Sequence, residues 1–294
     1  MSAGKILAYD GECSLCERAS ALVLRVFPGN ARRPLQDFSG ETAARLEAAG
    51  IRNEMAVIEA RTGEIRSGVA SLLWLLEESL AARFPGSRVA GLARRLGRPP
   101  FLPILTVLYR LIAYNRRVLA PPRGRTARFR CACDPEDHPG YQLGLIVLLC
   151  GTALALTALF GAAVARGTGL AAAETGAFQM VIAAGSGWVL LFAATAALPA
   201  AVRLSFGGHL GMVMVEGLLV LLPSMLLSLL ISGPPLAGLF ALSVCASFLW
   251  MLASLRRRLR WLGLSLSWLA GWVAALWTGA LGAVWFFYFR QGLS

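Results

Sequence analysis

The first part of the chain alternates between short apolar runs and apolar positions at helical spacing. Lys5 to Tyr9 reads as a strand, and Asp10-Gly11 supplies turn chemistry directly after it. From Ser14 onward Leu15, Ala19, Leu22, Val23 and Val26 recur at helical spacing until Phe27-Pro28-Gly29 stops the run. Arg33 to Asp37 predicts a second strand, and Glu41 to Ala49 a short helix closed by Gly50. Met55 to Ala60 and Glu64 to Arg66 predict a hairpin about Arg61-Thr62-Gly63, and Val69 to Ala82, rich in leucine, predicts a strongly apolar helix. The expected order is strand, helix, strand, helix, hairpin, helix, with two layers of helix around a small mixed sheet.

From residue 141 the pattern becomes five long apolar stretches: Tyr141 to Ala165, Phe178 to Ala200, Leu210 to Ile231, Leu236 to Leu255 and Leu264 to Phe289. Each has about the 20 apolar residues that a helix needs to cross the hydrocarbon core. Phe101 to Ala113 is too short for that and is expected either to pack on the N-terminal core or to lie on anionic lipid.

Charge follows the same division. Of 28 basic and 16 acidic residues, 21 and 14 precede Tyr141, which separates a polar domain from a membrane domain. Three segments follow: residues 1–120, a basic linker over 121–140, and the membrane part over 141–294. The net charge of +12 alone would admit a nucleic-acid partner. The basic residues are nearly all arginine and flank the apolar stretches, so the bilayer is the expected partner and nucleic acid is not. Met1 to Lys5 holds neither a basic run nor an apolar leader, which predicts a cytoplasmic N-terminal domain. The approach to residue 141, the 201–209 loop with Arg203, and the Arg256-Arg257-Arg258-Leu259-Arg260 cluster then fall on the cytoplasmic side. The opposite side receives only Arg166 and Arg290, in keeping with the positive-inside rule.

The candidate chemistry lies where the first strand gives way to the first helix, at Cys13-Ser14-Leu15-Cys16. Free backbone N–H groups and the positive end of the helix dipole favour a thiolate there, and the thiolate is the form that attacks a disulfide. Cys13, nearer the helix start and the solvent, is the expected nucleophile, and Cys16 is placed to resolve the mixed disulfide. Asp10 either relays a proton or shapes the turn; with Glu12 it is expected to hold back activation of the thiol. No cofactor is needed, because the dithiol carries the electrons.

Tyr9-Asp10-Gly11-Glu12-Cys13-Ser14-Leu15-Cys16 resembles the Asp-x-x-Cys-x-x-Cys signature of the DCC family of thiol-disulfide oxidoreductases, matched by Asp10, Cys13 and Cys16. The resemblance runs over residues 5–133. It includes Met55 to Glu59 with Thr62-Gly63-Glu64, the helix start at Gly68-Val69-Ala70, and Leu108 to Arg116 as the closing helix. It implies a thioredoxin-like fold, a disulfide substrate on a protein or small molecule, and an external thiol reductant. Asn53-Glu54-Met55 lacks the proline that thioredoxins carry before the strand facing the site, so their mode of substrate docking is not carried over.

Cys131 and Cys133 follow in the linker; they are incidental, or exchange electrons with Cys13 and Cys16, or complete a four-thiolate zinc site with them. Phe206-Gly207-Gly208 followed by Pro223 is similar to a pattern of the Yip family of five-span membrane proteins. Glu216, inside the third stretch, and His209, seven residues earlier, form either a proton path or a contact to a neighbouring helix. Gly207 and Gly211 predict close helix packing, and Cys150 and Cys245 read as small apolar positions. The overall expectation is an α/β thioredoxin-like domain followed by five transmembrane helices, acting as a membrane-anchored oxidoreductase. Two other outcomes stay open: a membrane scaffold or sensor with a structural four-cysteine zinc site, and a redox-gated transporter.

Overall fold

The computed structural model describes residues 4–51, 54–84, 88–120, 138–169, 173–231 and 233–292. The chain divides into two compact units, Met1–Gln142 and Leu143–Ser294.

In the first unit, strands β1 (Lys5–Tyr9), β2 (Ala31–Pro34), β3 (Ala56–Glu59) and β4 (Ile65–Ser67) form one mixed sheet in the order β2-β1-β3-β4. β1 pairs parallel with β2 across helix α1 (Ser14–Val26), and antiparallel with β3, which pairs antiparallel with β4. Helix α2 (Gly40–Ala48) precedes β3, and α3 (Gly68–Arg83) follows β4. The period-two alternation of β1 and β3 sorts their side chains between two faces. Ala8, Ala56 and Ile58 pack with Leu46 of α2, whereas Leu7 and Val57 pack with Trp74 of α3 and Val23 of α1. Both faces of the sheet are therefore covered, and Tyr9 at the end of β1 packs with Cys13 and Cys16.

The second strand lies two residues earlier than the 33–37 segment expected from the sequence. Pro34 is its last residue, and Leu35–Asp37 closes into a 3₁₀ turn. A proline has no N–H to extend a ladder, which accounts for the stop. Three helices follow α3: α4 (Arg88–Leu96), which the arginine-rich pattern concealed, α5 (Phe101–Tyr114) and the short α6 (Arg116–Leu119). α5 packs on the core, with its Tyr109 hydroxyl accepting the N–H of Met55 at 2.7 Å. Its other face carries Phe101, Ile104, Leu108 and Ile112, spaced three or four apart and each about half exposed.

The second unit holds α7 (Pro139–Thr168, whose first four residues belong to the first unit), α8 (Ala173–Ala194), α9 (Ala200–Leu219), α10 (Leu222–Leu227), α11 (Pro234–Leu262) and α12 (Ser267–Gly292). Among the described residues, four helical segments are long and apolar enough to cross a membrane: Pro139–Thr168, Ala177–Ala197, Val202–Leu227 and Pro235–Leu262. These coincide with the first four stretches read from the sequence; the fifth forms α12. Two boundaries differ from expectation. The 201–209 segment is the first half of α9 rather than a loop, and the 256–260 arginines lie in α11 rather than in a connection. The expected third span is interrupted at Val220–Leu221, just before Pro223, whose missing N–H breaks the helical ladder.

Phe206, Leu210 and Val213 of α9 pack with Leu255 and Leu259 of α11 and with Trp272 of α12. Gly207 and Gly211 do mark a close approach: a Cβ on either would lie 3.2 or 3.0 Å from Ile146 or Leu149 of α7. A closer one went unread in the sequence. A Cβ on Gly187 of α8 would lie 2.9 Å from the Ala275 carbonyl of α12, so the two backbones almost touch there.

Candidate functional site

β1 delivers Tyr9 and Asp10 to the edge of the core, and the chain turns through Gly11 into α1. A Cβ at Gly11 would lie 3.0 Å from Pro34 and 3.1 Å from the Gln36 side chain, so glycine lets the turn press against the end of β2. The Cys13 N–H donates to the Asp10 carbonyl at 3.2 Å, and Cys13 becomes the N-cap of α1 in extended conformation. Its Sγ accepts the N–H of Cys16 at 3.3 Å, a capping bond made by sulfur in place of the usual oxygen. The structure thus brings Cys13, Cys16 and Asp10 together. It does not make Cys13 the more exposed thiol: Cys13 is 8% and Cys16 9% exposed.

The two sulfurs are driven apart in acidity. The Cys13 thiol is lowered to about 6, first by its hydrogen bond with the Cys16 side chain. Burial opposes this; the Cys16 N–H and the Arg116 guanidinium add to it, and Asp10 pulls weakly the other way. The Cys16 thiol is pushed far above the ordinary range by its bond to Cys13, by burial and by the Cys13 charge. The pair is therefore a thiolate beside a proton-bearing thiol at neutral pH.

Asp10 restrains this activation less than its sequence position suggests, because its charge is countered. Asp10 Oδ2 pairs with Arg116 Nη2 at 2.8 Å, with both side chains under one-tenth exposed. Asp10 Oδ1 accepts the Gln36 amide at 3.0 Å and the Glu12 N–H at 3.0 Å. Both carboxylate oxygens are thus bonded at the turn. Glu12 itself is exposed, where water screens its charge. Arg116 and Gln36 are the residues that sequence reasoning left without a role. Arg116 lay inside the closing-helix resemblance, but nothing in the pattern connects it to a carboxylate 106 positions away.

A partly open cavity of about 140 Å³ lies beside Cys16. Leu15 and Ala19 of α1, Met55, and Ile112 and Ala113 of α5 form its apolar walls. Asp10, Glu54, Tyr109 and Arg116 border it as well, yet nearly all of the surface facing the cavity is apolar. The polar groups are occupied elsewhere: Asp10 with Arg116, Glu54 with Arg110 at 3.3 Å, and the Tyr109 oxygen with the Met55 N–H. Gly68 helps close this corner. Its N–H donates to the Met55 carbonyl at 2.9 Å, its φ is +63°, and a Cβ there would collide with the Glu54 carboxylate.

In the second unit Glu216 does contact a neighbouring helix. Arg258 Nη2 donates to Glu216 Oε1 at 2.5 Å, Arg258 Nη1 to His209 Nδ1 at 2.8 Å, and Ser254 Oγ to Glu216 Oε2 at 2.5 Å. A guanidinium only donates, so His209 carries its proton on Nε2. The group closes as an ion pair between α9 and α11. Cys131 and Cys133 lie outside the described residues. Among the described residues no three His, Cys, Asp or Glu side chains are grouped to hold a metal.

No protein-family model, curated protein or solved structure matches the chain.

A pH profile tests the acidity of the dithiol. Alkylation of Cys13 by iodoacetamide should reach half its maximal rate near pH 6, whereas an ordinary thiol does so near 8.5. Above about pH 8.5 the raised Cys16 thiol costs the reduced protein stability, because the unfolded chain then ionises it. The lowered Cys13 thiol acts in the opposite sense, with a stabilising contribution fully present above about pH 8.5. That contribution is lost as pH falls through about 6.

Proposed function

We propose that the chain is a membrane-anchored thiol-disulfide oxidoreductase with Cys13 as nucleophile and Cys16 as resolving thiol. The observation that carries this reading is the capping arrangement, in which Cys13 Sγ accepts the Cys16 N–H at 3.3 Å and its thiol is lowered to about 6 beside a proton-bearing partner. Thiolate attack on a disulfide, followed by attack of the second thiol on the first, is the reaction that such a pair performs.

Three further features support it. The sheet order β2-β1-β3-β4, with the dithiol after β1, agrees with a thioredoxin-like domain of the DCC type. The four apolar helical segments, together with α12, agree with five spans in a multi-pass membrane protein. The bias of arginine to one side of those spans favours a cytoplasmic N-terminal domain, where an external thiol reductant restores the dithiol.

The test is differential alkylation of the full chain, equilibrated in glutathione redox buffers, with bound zinc assayed on the same sample. The expected result is a reversible Cys13–Cys16 disulfide with a midpoint between about −200 and −300 mV and no zinc. Stoichiometric zinc with Cys13, Cys16, Cys131 and Cys133 all protected from alkylation would replace this reading with a structural metal site.

A further inference from the structure

We infer that the disulfide this dithiol reduces belongs to a small molecule with an apolar substituent seated in the cavity beside Cys16, and not to an extended polypeptide. The inference rests on the oxidoreductase reading above and concerns the substrate of that same site.

An extended peptide that docks against a strand is held by hydrogen bonds to free backbone groups, and its affinity comes largely from them. Met55, which packs against Cys13 and Cys16 just ahead of β3, has both of its backbone groups already engaged. Its N–H is held by the Tyr109 hydroxyl at 2.7 Å, and its carbonyl accepts the Gly68 N–H at 2.9 Å. Tyr109 belongs to α5 and Gly68, at positive φ, begins α3, so both bonds tie Met55 to helices packed on the core. At Met55 a peptide would find the N–H already donated and the carbonyl already accepting one bond.

The cavity has the complementary property. Its volume of about 140 Å³ is comparable to cavities that accept one small ring, and its surface is apolar because the bordering charges are bonded to one another. A charged or peptide-like substituent would lose its water there without gaining partners, whereas a hydrocarbon substituent gains contact. Ile112 lines the cavity and also belongs to the half-exposed apolar stripe of α5 with Phe101, Ile104 and Leu108. The mouth of the cavity therefore adjoins an apolar surface.

The chemistry balances without another reagent. The Cys13 thiolate attacks one sulfur of the substrate, forming a Cys13–substrate disulfide and breaking the substrate S–S bond. The Cys16 thiol gives up its proton to the leaving thiolate and attacks Cys13 Sγ, forming the Cys13–Cys16 disulfide and expelling the second substrate thiolate. Two electrons pass from the dithiol to the substrate.

The test uses the reduced full chain in detergent with three probes. These are lipoamide (a neutral cyclic disulfide on an apolar chain), glutathione disulfide, and a short extended peptide whose central cysteine carries a mixed disulfide with mercaptoethanol. Each rate constant is divided by that of dithiothreitol with the same probe, which removes intrinsic reactivity. Lipoamide should exceed both others by about tenfold or more, the selectivity that burying a few methylene groups provides. Filling the cavity with Ala19→Leu should lower the lipoamide-to-glutathione ratio by about tenfold. Ile112→Trp approaches from the half-exposed opposite wall and should lower the same ratio. A peptide rate equal to or above that of lipoamide, or a ratio untouched by both substitutions, overturns the inference while leaving the oxidoreductase standing. Failure of the dithiol to react with any of the three overturns both.

Discussion

Cys16→Ser should turn the dithiol into a trap that accumulates a stable mixed disulfide on Cys13, visible as a mass increase equal to one substrate half. Cys13 is the N-cap of α1, so its sulfur already accepts a backbone N–H and stays partly activated when the Cys16 side chain is changed. The serine hydroxyl can donate to Cys13 but cannot attack it, so the first step proceeds and the second does not. The opposite substitution behaves differently. In Cys13→Ser the largest cause raising the Cys16 thiol, its bond to Cys13, is gone, but burial still opposes ionisation. Its thiolate fraction at pH 7 is then at most a few per cent, against about nine-tenths for a thiol titrating near 6, so exchange should fall about thirtyfold. The outcome that would sink the assigned roles is a trapped adduct on Cys16 in the Cys13→Ser protein, formed as fast as the one on Cys13.

The parts of the fold that could be read from the sequence were those fixed by local pattern. β1, α1 and the hairpin of β3 and β4 follow from apolar alternation, the Asp10-Gly11 turn and the Thr62-Gly63 turn. The strand at residues 31–34 was displaced because Pro34 ends the ladder that apolar pattern alone would extend to Asp37. Arginine runs misled in both directions. Around residues 88–96 they conceal α4, and at residues 256–260 they place the end of the fourth stretch at Leu255, although α11 runs on to Leu262 with Arg258 buried against Glu216. A buried arginine is legible only once its partner is, and Glu216 is 42 positions away on another helix. The dithiol and its flanking aspartate were visible as a motif. The counter-charge, the lock on Met55 and the cavity were not, because Arg116, Tyr109 and Gly68 meet them only through tertiary packing.

The Asp10–Arg116 pair yields the second large effect, and its two halves should agree in stability while disagreeing in acidity. Both side chains are under one-tenth exposed, so deleting either removes the ion-pair counterpart of a buried charge. Loss of one member of a buried pair costs about 3–5 kcal/mol. Asp10→Asn and Arg116→Met should each make the first unit open to pulse proteolysis at markedly lower denaturant concentration. The double variant should recover much of the loss, because neither charge remains to be solvated. The Cys13 alkylation profile then separates an electrostatic role from mere unfolding. Arg116 lowers the Cys13 thiol and Asp10 raises it. Arg116→Met should therefore move the midpoint above pH 6 and Asp10→Asn below it, although both proteins are weakened alike. Equal shifts in the same direction would mean that the pair acts on the dithiol only by holding the turn that Asp10 builds with Gln36 and Glu12. Opposite shifts would establish that the charge balance set between the turn after β1 and α6 tunes the thiolate directly.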